Sequence, residues 1–419
     1  MTVETLADSR QPASDSHPWK GRFFAIWGGQ VCSLLGSHLV QFALVWYLAS
    51  RTGSATTLAT ATLVAMLPQV FLSPFIGTWV DRWNRQLIMV AADGAIALAS
   101  AGLALLFALD AVAIWHIYLI MFIRSIGEGF HMSAMSASTV LLVPKSQLSR
   151  IQGLNQTMRG GMDIFAAPLG ALMLTQLPIQ AVLGVDVVTA LLAITPLLFV
   201  RIPQPRREQA GGRASFWGDF MAGLRYVLAW RALMIILAMA MLINFLLTPT
   251  MALVPLLVKQ HLGGGAAQLA LINATLAGGT IAGGALLGLW GGFRRRVLTA
   301  MLGLIGMGAG TLILGITPAA TLWPILLGYG LAGLMSPIVN GSLGAVLQAA
   351  IAPEMQGRVF AFVMSLSSAI APLGLLLAGP IADRLGLLSW FIAGGIVCAG
   401  MGALGLFIPA VMNIEGEKQ

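Results

Sequence analysis

Long apolar stretches separated by short polar segments run through the chain from residue 23 onward. A helix needs roughly 20 apolar residues to cross the hydrocarbon core of a bilayer. Stretches of that size predict twelve membrane-spanning helices, at about 23–49, 57–80, 87–109, 112–142, 151–177, 179–200, 231–258, 267–290, 297–317, 321–350, 358–380 and 387–411. The pattern is therefore six spans, a polar break and six more spans.

The polar break at 201–230 combines two kinds of sequence. It opens with prolines, arginines and a pair of glycines, a composition typical of a flexible linker. Phe216, Phe220, Leu224 and Val227 then recur at helical spacing, which predicts an amphipathic helix lying on the cytoplasmic membrane surface. The chain thus divides into a cytoplasmic tail, a six-helix bundle, a linker with an amphipathic helix, a second six-helix bundle and a short tail, at 1–18, 19–200, 201–230, 231–412 and 413–419.

Composition agrees with a lipid environment. Apolar residues make up 58% of the chain and charged residues only 9%, whereas soluble domains carry about 25% charged residues. The 49 glycines suit membrane helices, which pack through small residues. We expect helix contacts at the glycine pairs spaced four apart, namely 279/283, 284/288 and 306/310.

The distribution of positive charge predicts the orientation. Eighteen of the 23 lysines and arginines fall in segments on the side of the N-terminus, three fall on the other side, and Arg124 and Arg159 lie within spans. Because positive residues concentrate in cytoplasmic loops, both termini are predicted to be cytoplasmic. This use of the net charge of +8 is favoured over nucleic-acid binding.

Several other function classes find no support in the sequence. Cys32 and Cys398 lie at opposite ends of the chain, so we expect neither a disulfide nor a metal site. No phosphate-binding loop or hydrolase motif is present, which argues against ATP as the energy source, against an enzyme and against any cofactor. The Gly328–Gly333 dinucleotide-like pattern lies inside an apolar span and is discounted.

The two halves of the chain resemble each other. The segment from Gly77 to Arg85 matches the segment from Gly288 to Arg296, with a glycine, a tryptophan and a final arginine in equivalent places. The strings Ala-Pro-Leu-Gly at 167–170 and 371–374 are identical. Repeated six-helix halves are typical of secondary transporters, in which the substrate site lies between the halves.

These features resemble the major facilitator superfamily. Its loop signature is matched by Gly77, Asp81, Arg82 and Arg85. The chain is further similar to the macrolide-efflux (Mef-type) drug:proton antiporters, through strings such as Arg124-Ser-Ile-Gly-Glu-Gly-Phe-His. The resemblance implies an all-α membrane protein of 12 helices in two pseudo-symmetric bundles that exports drugs in exchange for protons. It does not identify macrolides as the substrate, because related proteins export other compounds.

Ionisable residues inside the predicted spans are candidates for proton coupling, because each costs at least about 2.5 kcal/mol to insert. The fourth span carries Arg124, Glu128 and His131 on one helical face, and the fifth carries Arg159 and Asp163. Glu128 or Asp163 would take up and release the proton while a nearby arginine moves. The alternative is that Arg124–Glu128 and Arg159–Asp163 are structural ion pairs.

Asp186, in the sixth predicted span, is a further candidate for proton coupling. Its alternative is a hydrogen-bonded packing role, since buried polar groups in membranes usually find partners.

A conformational latch is implied by the resemblance at the junction of the second and third spans. Asp81 would meet a helix N-terminus or a basic partner across the two halves in one state only, assisted by Gly77, Arg82 and Arg85. Asp93 is expected to join this cluster. The alternative is that the two arginines only set the topology.

Polar and aromatic side chains in the spans are candidates for contacts with an amphipathic substrate. Aromatic walls suit variable apolar ligands because they can repack. The alternative for each is ordinary helix packing. The candidates are Gln41, Phe42, Trp46, His131, Asn155, Asn244, Phe245, Asn273 and Asn340.

The sequence therefore predicts a monomeric multi-pass protein of the inner or plasma membrane that exports amphipathic organic compounds by proton antiport. Its expected partners are a small-molecule substrate, protons and the lipid bilayer, with no nucleic acid. The alternatives are a transporter of a native metabolite or siderophore, and a membrane receptor or intramembrane enzyme on the same scaffold.

Overall fold

A computed structural model describes residues 19–200, 202 and 216–415, and the tails and the remaining linker residues lie outside the description. The described chain is helical. Its helices are α1 Trp19–Thr52, α2 Ala55–Arg82, α3 Arg85–Ala108, α4 Ile114–Leu142, α5 Leu148–Gln176, α6 Ile179–Phe199, α7 Phe216–Ala229, α8 Arg231–Leu256, α9 Ala266–Trp290, α10 Arg296–Ile316, α11 Leu322–Ala350, α12 Pro353–Ala369, α13 Ala371–Leu385, α14 Leu387–Phe407 and α15 Pro409–Met412.

The predicted spans agree closely with these helices, with three differences. The span predicted at 387–411 ends at Phe407, and the short helix α15 follows it. A π-helical segment, Leu257–His261, extends α8. The span predicted at 358–380 is interrupted after Ala369, and Pro372 stands in the first turn of α13. A proline lacks the N–H that would continue the hydrogen bonding of α12. The proline alone does not impose a break, because Pro168, its counterpart in the first half, lies inside the unbroken α5.

Helix length and composition indicate a membrane protein. Ten stretches of the described chain are long and apolar enough to cross a bilayer. The helices α4 and α5, which carry Arg124, Glu128 and Arg159, are not among them, so the count of twelve spans stays a prediction. Large apolar side chains cover the outer surface; Leu289, for example, is 91% exposed. Such a surface suits lipid as its solvent.

The same helix pairing occurs in both halves. In the first half α1 packs on α5 and α6, α3 packs on α4 and α6, and α2 packs on α4. In the second half α8 packs on α13 and α14, α10 packs on α11 and α14, and α9 packs on α11. The internal sequence repeat therefore corresponds to a repeated arrangement of helices.

The glycine pairs contribute unequally to these contacts. A Cβ atom at Gly279 or Gly283 would lie 2.4 or 2.0 Å from backbone oxygens of α11, so these two glycines permit close packing of α9 on α11. Gly306 and Gly310 also approach α11 closely. The expected contact at 284/288 is wrong, because nothing lies within 4 Å of a Cβ at either position.

The amphipathic helix predicted in the linker is α7, and part of its apolar side packs on another helix. Val227 is buried, and Leu224 packs with it in an apolar cluster that includes Val359 and Phe362 of α12. Gly223 approaches the same helix, with its Cβ position 3.1 Å from the Arg358 oxygen. The described part of this side, Gly223 to Val227, therefore packs on α12, which offers it an apolar surface. The side chains of Phe216 and Phe220 lie outside the described residues.

The two ends of the helix bundle differ in charge and in closure. We call the end at Arg82–Arg85 and Arg294–Arg296 the basic face, and the end at Ser54 and Asp383 the closed face. Four hydrogen bonds join described residues of the two halves, and all four lie at the closed face. Among the described residues, hydrogen bonds between the two halves therefore occur only at the closed face.

Candidate functional site

A cavity runs between the halves and into the first half. Its wider part, about 590 Å³, is lined by α1, α2 and α5 on one side and by α8 and α9 on the other. Its narrower part, about 340 Å³, lies among α1–α4. The two parts share His38, Gln41 and Thr62 in their walls. They therefore form one continuous space with two chemically different ends.

The wider part is predominantly apolar. Phe42 and Val45 of α1 face Met251 of α8 and Ile281 of α9, and Asn273 adds an amide group. A wall of methionine, aromatic and aliphatic side chains can adapt to apolar ligands of different shapes. This end of the cavity can accept the hydrophobic body of an organic molecule.

The narrower part contains a buried ion pair between Arg124 of α4 and Asp186 of α6. Ser100 bridges the two, since its hydroxyl lies 2.7 Å from the Arg124 guanidinium and 2.6 Å from the Asp186 carboxylate. Arg124 also donates to the backbone oxygen of Ser37 at 3.2 Å. The network links α1, α3, α4 and α6, so the charge of Arg124 is balanced inside the protein.

A second buried contact involves Asp93 of α3 and His131 of α4. The carboxylate oxygen lies 3.0 Å from the imidazole Nδ1, and the two side chains are only 4% and 5% exposed. The distance is that of an ion pair, although the angle is not that of a hydrogen bond. Gln30 donates to the other Asp93 oxygen at 3.4 Å. All three residues line the narrower part of the cavity.

Glu128 lies one turn before His131 and lines the same wall. Its side chain is exposed, and no described side chain forms an ion pair with it. A small side pocket of about 50 Å³ adjoins this end and is bordered by His131, Asn155 and Arg159. Asn155 accepts a 2.8 Å hydrogen bond from the Trp27 indole. Within the described chain, the polar end thus presents an unpaired carboxylate beside the buried Asp93–His131 contact.

A sequence model described as Major Facilitator Superfamily matches residues 26–254 of the chain. Macrolide efflux protein A of Streptococcus pyogenes is 33% identical over 91% of this chain and 94% of its own length. The chain belongs to the major facilitator superfamily. It is a transporter of that family and not an enzyme.

Two further efflux proteins are similar to most of this chain. A second Macrolide efflux protein A, from Enterococcus faecalis, is 31% identical over 77% of this chain and all of its own length. The Multidrug efflux pump Tap of Mycobacterium tuberculosis is 25% identical over 96% of both chains.

Solved structures share the fold. A bacterial homolog of the human lysosomal transporter Spinster, in an inward-facing and unoccupied conformation, gives a TM-score of 0.67 at 14% identity over 96% of this chain and 98% of its own. A mutant form of the nucleoside transporter NupG gives 0.69 at 12% identity over 94% and 99%. At these identities the likeness supports the helix arrangement alone.

The residues that we expected at the transporter's substrate cavity fall into two groups. Gln41, Phe42, His131 and Asn273 line the cavity, and Asn155 lines its side pocket. The others make contacts within the protein: Trp46 packs on the core, Asn244 and Asn340 donate to their own helices, and the Phe245 ring lies tilted against the Trp390 ring.

The expected pairing of charges also differs. Arg124 pairs with Asp186 and not with Glu128, because the network of α3 and α6 places a carboxylate and a serine at its guanidinium. Arg159 lines the side pocket and is exposed. The side chain of Asp163 lies outside the described residues, so its proposed pairing with Arg159 has no description.

The expected latch cluster is only partly assembled. Asp81 is 72% exposed and contacts Arg85 of its own first half at 3.3 Å. Arg85 also donates to the Ala137 oxygen of α4 at 2.9 Å. Gly77 and Arg82 are exposed at this end of α2. Asp93 does not join the cluster: it lies two helical turns beyond Arg85 and faces the cavity instead.

One inter-half contact was missed in the sequence. The Asp383 carboxylate, at the end of α13, accepts hydrogen bonds from the backbone N–H groups of Ala55 and Thr56 at 2.7 and 3.0 Å. The Ser54 hydroxyl donates to it at 3.0 Å. A carboxylate at a helix N-terminus is favourable because of the unpaired N–H groups there. The available signal was the pair Asp383 and Arg384 in the last turn of an otherwise apolar helix.

Proposed function

We propose that this transporter exports amphipathic organic compounds, macrolide-like drugs among them, in exchange for protons across the cell membrane. The observation that carries the proposal is the cavity with two ends, one apolar and adaptable, the other with the unpaired carboxylate of Glu128. An organic cation can place its apolar body at the first end and its charge at the second. The efflux proteins that resemble the chain support the drug class.

Alternating access supplies the transport step in this proposal. Hydrogen bonds join the two halves at the closed face, whereas Asp81 is exposed at the basic face. If the basic face is cytoplasmic, as the charge distribution predicts, the cavity takes up substrate from the cell interior. Rocking of the halves would then expose the cavity to the outside, as in other transporters built from repeated halves. A single chain contains both halves, so we propose a monomer.

The test is extrusion of erythromycin and ethidium from cells that lack their own efflux pumps. We expect extrusion by the wild type and its loss on addition of a protonophore. Glu128→Gln should weaken ethidium extrusion about tenfold or more, since a hydrogen bond to a charged group contributes about 1.5–3 kcal/mol. Asp163→Asn and Asp81→Asn test the other expected carboxylates.

Glu354→Gln is the matched control, because Glu354 is an exposed carboxylate in the first turn of α12 and lies outside the cavity. Membrane levels of each variant are measured in parallel. Extrusion that persists in both Glu128→Gln and Asp163→Asn would remove the proposed roles of these two residues. A wild type that extrudes no member of a broad drug panel would favour a transporter of a native metabolite.

A further inference from the structure

The buried Asp93 and His131 side chains, which contact each other, have no role in the binding of a drug as proposed above. Both side chains line the cavity and yet are almost fully shielded from solvent. The Gln30 amide touches Asp93, and its own oxygen, Oε1, is buried without a hydrogen-bond partner among the described residues. A buried carboxylate requires a compensating positive charge or a proton. Whether a permanently charged side chain or a proton balances Asp93 therefore determines whether the pair can exchange protons.

The lysine and arginine side chains of the described chain do not supply the positive charge that would balance Asp93. Arg124 is engaged by Asp186, Ser100 and the Ser37 oxygen. Arg159 borders the side pocket beside His131 and contacts neither member of the pair. Among the described side chains, no lysine or arginine forms an ion pair with Asp93.

The other titratable groups near the pair do not balance it either. Glu128, one turn from His131, faces the same space and adds negative charge. His38 also lines the narrower part, but it forms no ion pair with Asp93. From α6, Asp186 is already paired. Within the part of the chain that the structure describes, the positive charge in contact with Asp93 is therefore the one that His131 carries when its imidazole binds a second proton.

We propose that Asp93 and His131 together form the proton-binding site of this transporter. The inference rests on the proposed function, because it names the residues that hold the exchanged proton. A proton from the water outside the cell bonds to the unprotonated ring nitrogen of neutral His131, which gives an imidazolium beside the Asp93 carboxylate. The same proton leaves to cavity water when the site reopens on the other side, and no other bond changes.

This assignment explains how proton and substrate would exclude each other. With a proton the pair is neutral, so the halves can close over it. Without a proton the pair carries a net negative charge, which is unfavourable in a closed apolar environment unless a cation replaces the proton. A cationic ligand group held near Glu128 and His131 would serve as that replacement. Glu128 is exposed to cavity water, so its charge is solvated and imposes a weaker constraint on closure.

The first test measures the proton directly and needs no transported substrate. The full chain, labelled with ¹⁵N-histidine and reconstituted in lipid nanodiscs, is examined by NMR at one fixed pH. His131→Gln identifies the His131 signals among those of the five histidines. We expect an imidazolium spectrum for His131 in the wild type and a neutral imidazole spectrum in Asp93→Asn. A spectrum of His131 that is the same in both proteins would overturn the proposal.

The second test separates coupling from structure. In proteoliposomes, ethidium accumulation driven by a pH gradient is compared with ethidium–ethidium exchange, which needs no net proton movement. We expect Asp93→Asn, His131→Gln and the double variant to lose driven accumulation to the level of protein-free liposomes while exchange persists. Glu354→Gln should retain both. A variant with both activities reduced and a lowered melting temperature would indicate a structural role and count against the proposal.

The failures of the two proposals differ in the wild type. If wild-type accumulation does not respond to the pH gradient, proton antiport itself is wrong. If the wild type responds and His131→Gln accumulates ethidium at the wild-type rate, antiport stands and only the assignment of the pair is wrong.

Discussion

Two buried aspartates of the first half have partners of different kinds. Asp186 contacts Arg124, whose guanidinium keeps its charge at all relevant pH values, and Ser100 and Ser37 complete their hydrogen bonding. Asp93 contacts His131, whose charge depends on a proton. Permanent neutralisation suits a structural role for the first pair, and variable neutralisation suits proton exchange by the second. Both aspartates lie far in sequence from their partners, so the sequence does not show which of them meets an arginine and which meets a histidine.

The structural role of Asp186 is tested by Asp186→Asn. The change leaves the Arg124 charge buried without its carboxylate, and breaking a buried pair costs about 3–5 kcal/mol. We expect a clearly lower melting temperature of the detergent-purified protein, measured by its intrinsic fluorescence. Glu128→Gln is the control, since this exposed side chain should contribute little to stability even though we expect ethidium extrusion to depend on it. Equal melting temperatures of both variants and the wild type would contradict the structural role.

At the scale of helices, small residues determine how closely α9 and α11 approach. Gly279 and Gly283 of α9 contact the backbone of α11, and Gly333 of α11 contacts the Leu276 oxygen in return. Without a hydrophobic driving force between helices in lipid, such close backbone contact is a main source of association. In the glycine-rich segment 328–333, which has the spacing of a nucleotide-binding loop, Gly330 and Gly333 approach α9, whereas Gly328 approaches α10.

Adjacent glycines in α9 provide a matched pair of substitutions. A Cβ at Gly283 would lie 2.0 Å from the Leu334 oxygen, whereas a Cβ at Gly284 would meet nothing within 4 Å. Gly283→Ala should destabilise the protein by about 1–3 kcal/mol through overpacking. Gly284→Ala should be neutral or slightly stabilising, because alanine favours a helix. Thermal unfolding in the same detergent compares them; a smaller effect at 283 than at 284 would refute this account of the interface.

At the scale of the whole molecule, the closed face joins the halves through Asp383 and the start of α2. Gly379 allows this approach, since a Cβ there would lie 2.6 Å from the Thr56 Cα. Gln260 adds a hydrogen bond to the Gly53 oxygen. The contact that we expected of Asp81, between a carboxylate and a helix N-terminus of the other half, is thus made in this conformation by Asp383 at the opposite end.

Removing the Asp383 charge should shift the balance between conformations. A carboxylate at an exposed helix N-terminus contributes about 0.3–1 kcal/mol, so Asp383→Asn should increase the population that is open at this face by about two- to fivefold. Spin labels at Arg51→Cys and Arg384→Cys, in a Cys32→Ser background, report the distance between the halves. Asp110→Asn, at another loop of the same face, should leave the distances unchanged. An unaltered distribution in Asp383→Asn would contradict a latch role.

The orientation in the membrane is a separate prediction. If the basic face is cytoplasmic, a membrane-impermeant maleimide should label Arg51→Cys in intact cells and label Arg294→Cys only after lysis. Both positions are exposed, at the closed and basic faces respectively. The same Cys32→Ser background excludes labelling of the native exposed cysteine. The reverse pattern would place the termini outside.

The amino-acid sequence by itself determined the helical membrane architecture, the two related halves and the transporter family. These properties follow from local requirements: each span must be apolar over its own length, and each loop signature is contiguous. Tertiary structure decided which charges meet. Arg124 could have paired with Glu128 one turn away, yet it pairs with Asp186, 62 residues along the chain. Partners such as His131 for Asp93, and α2 for Asp383, depend on how separate helices are rotated and packed, which no local pattern specifies.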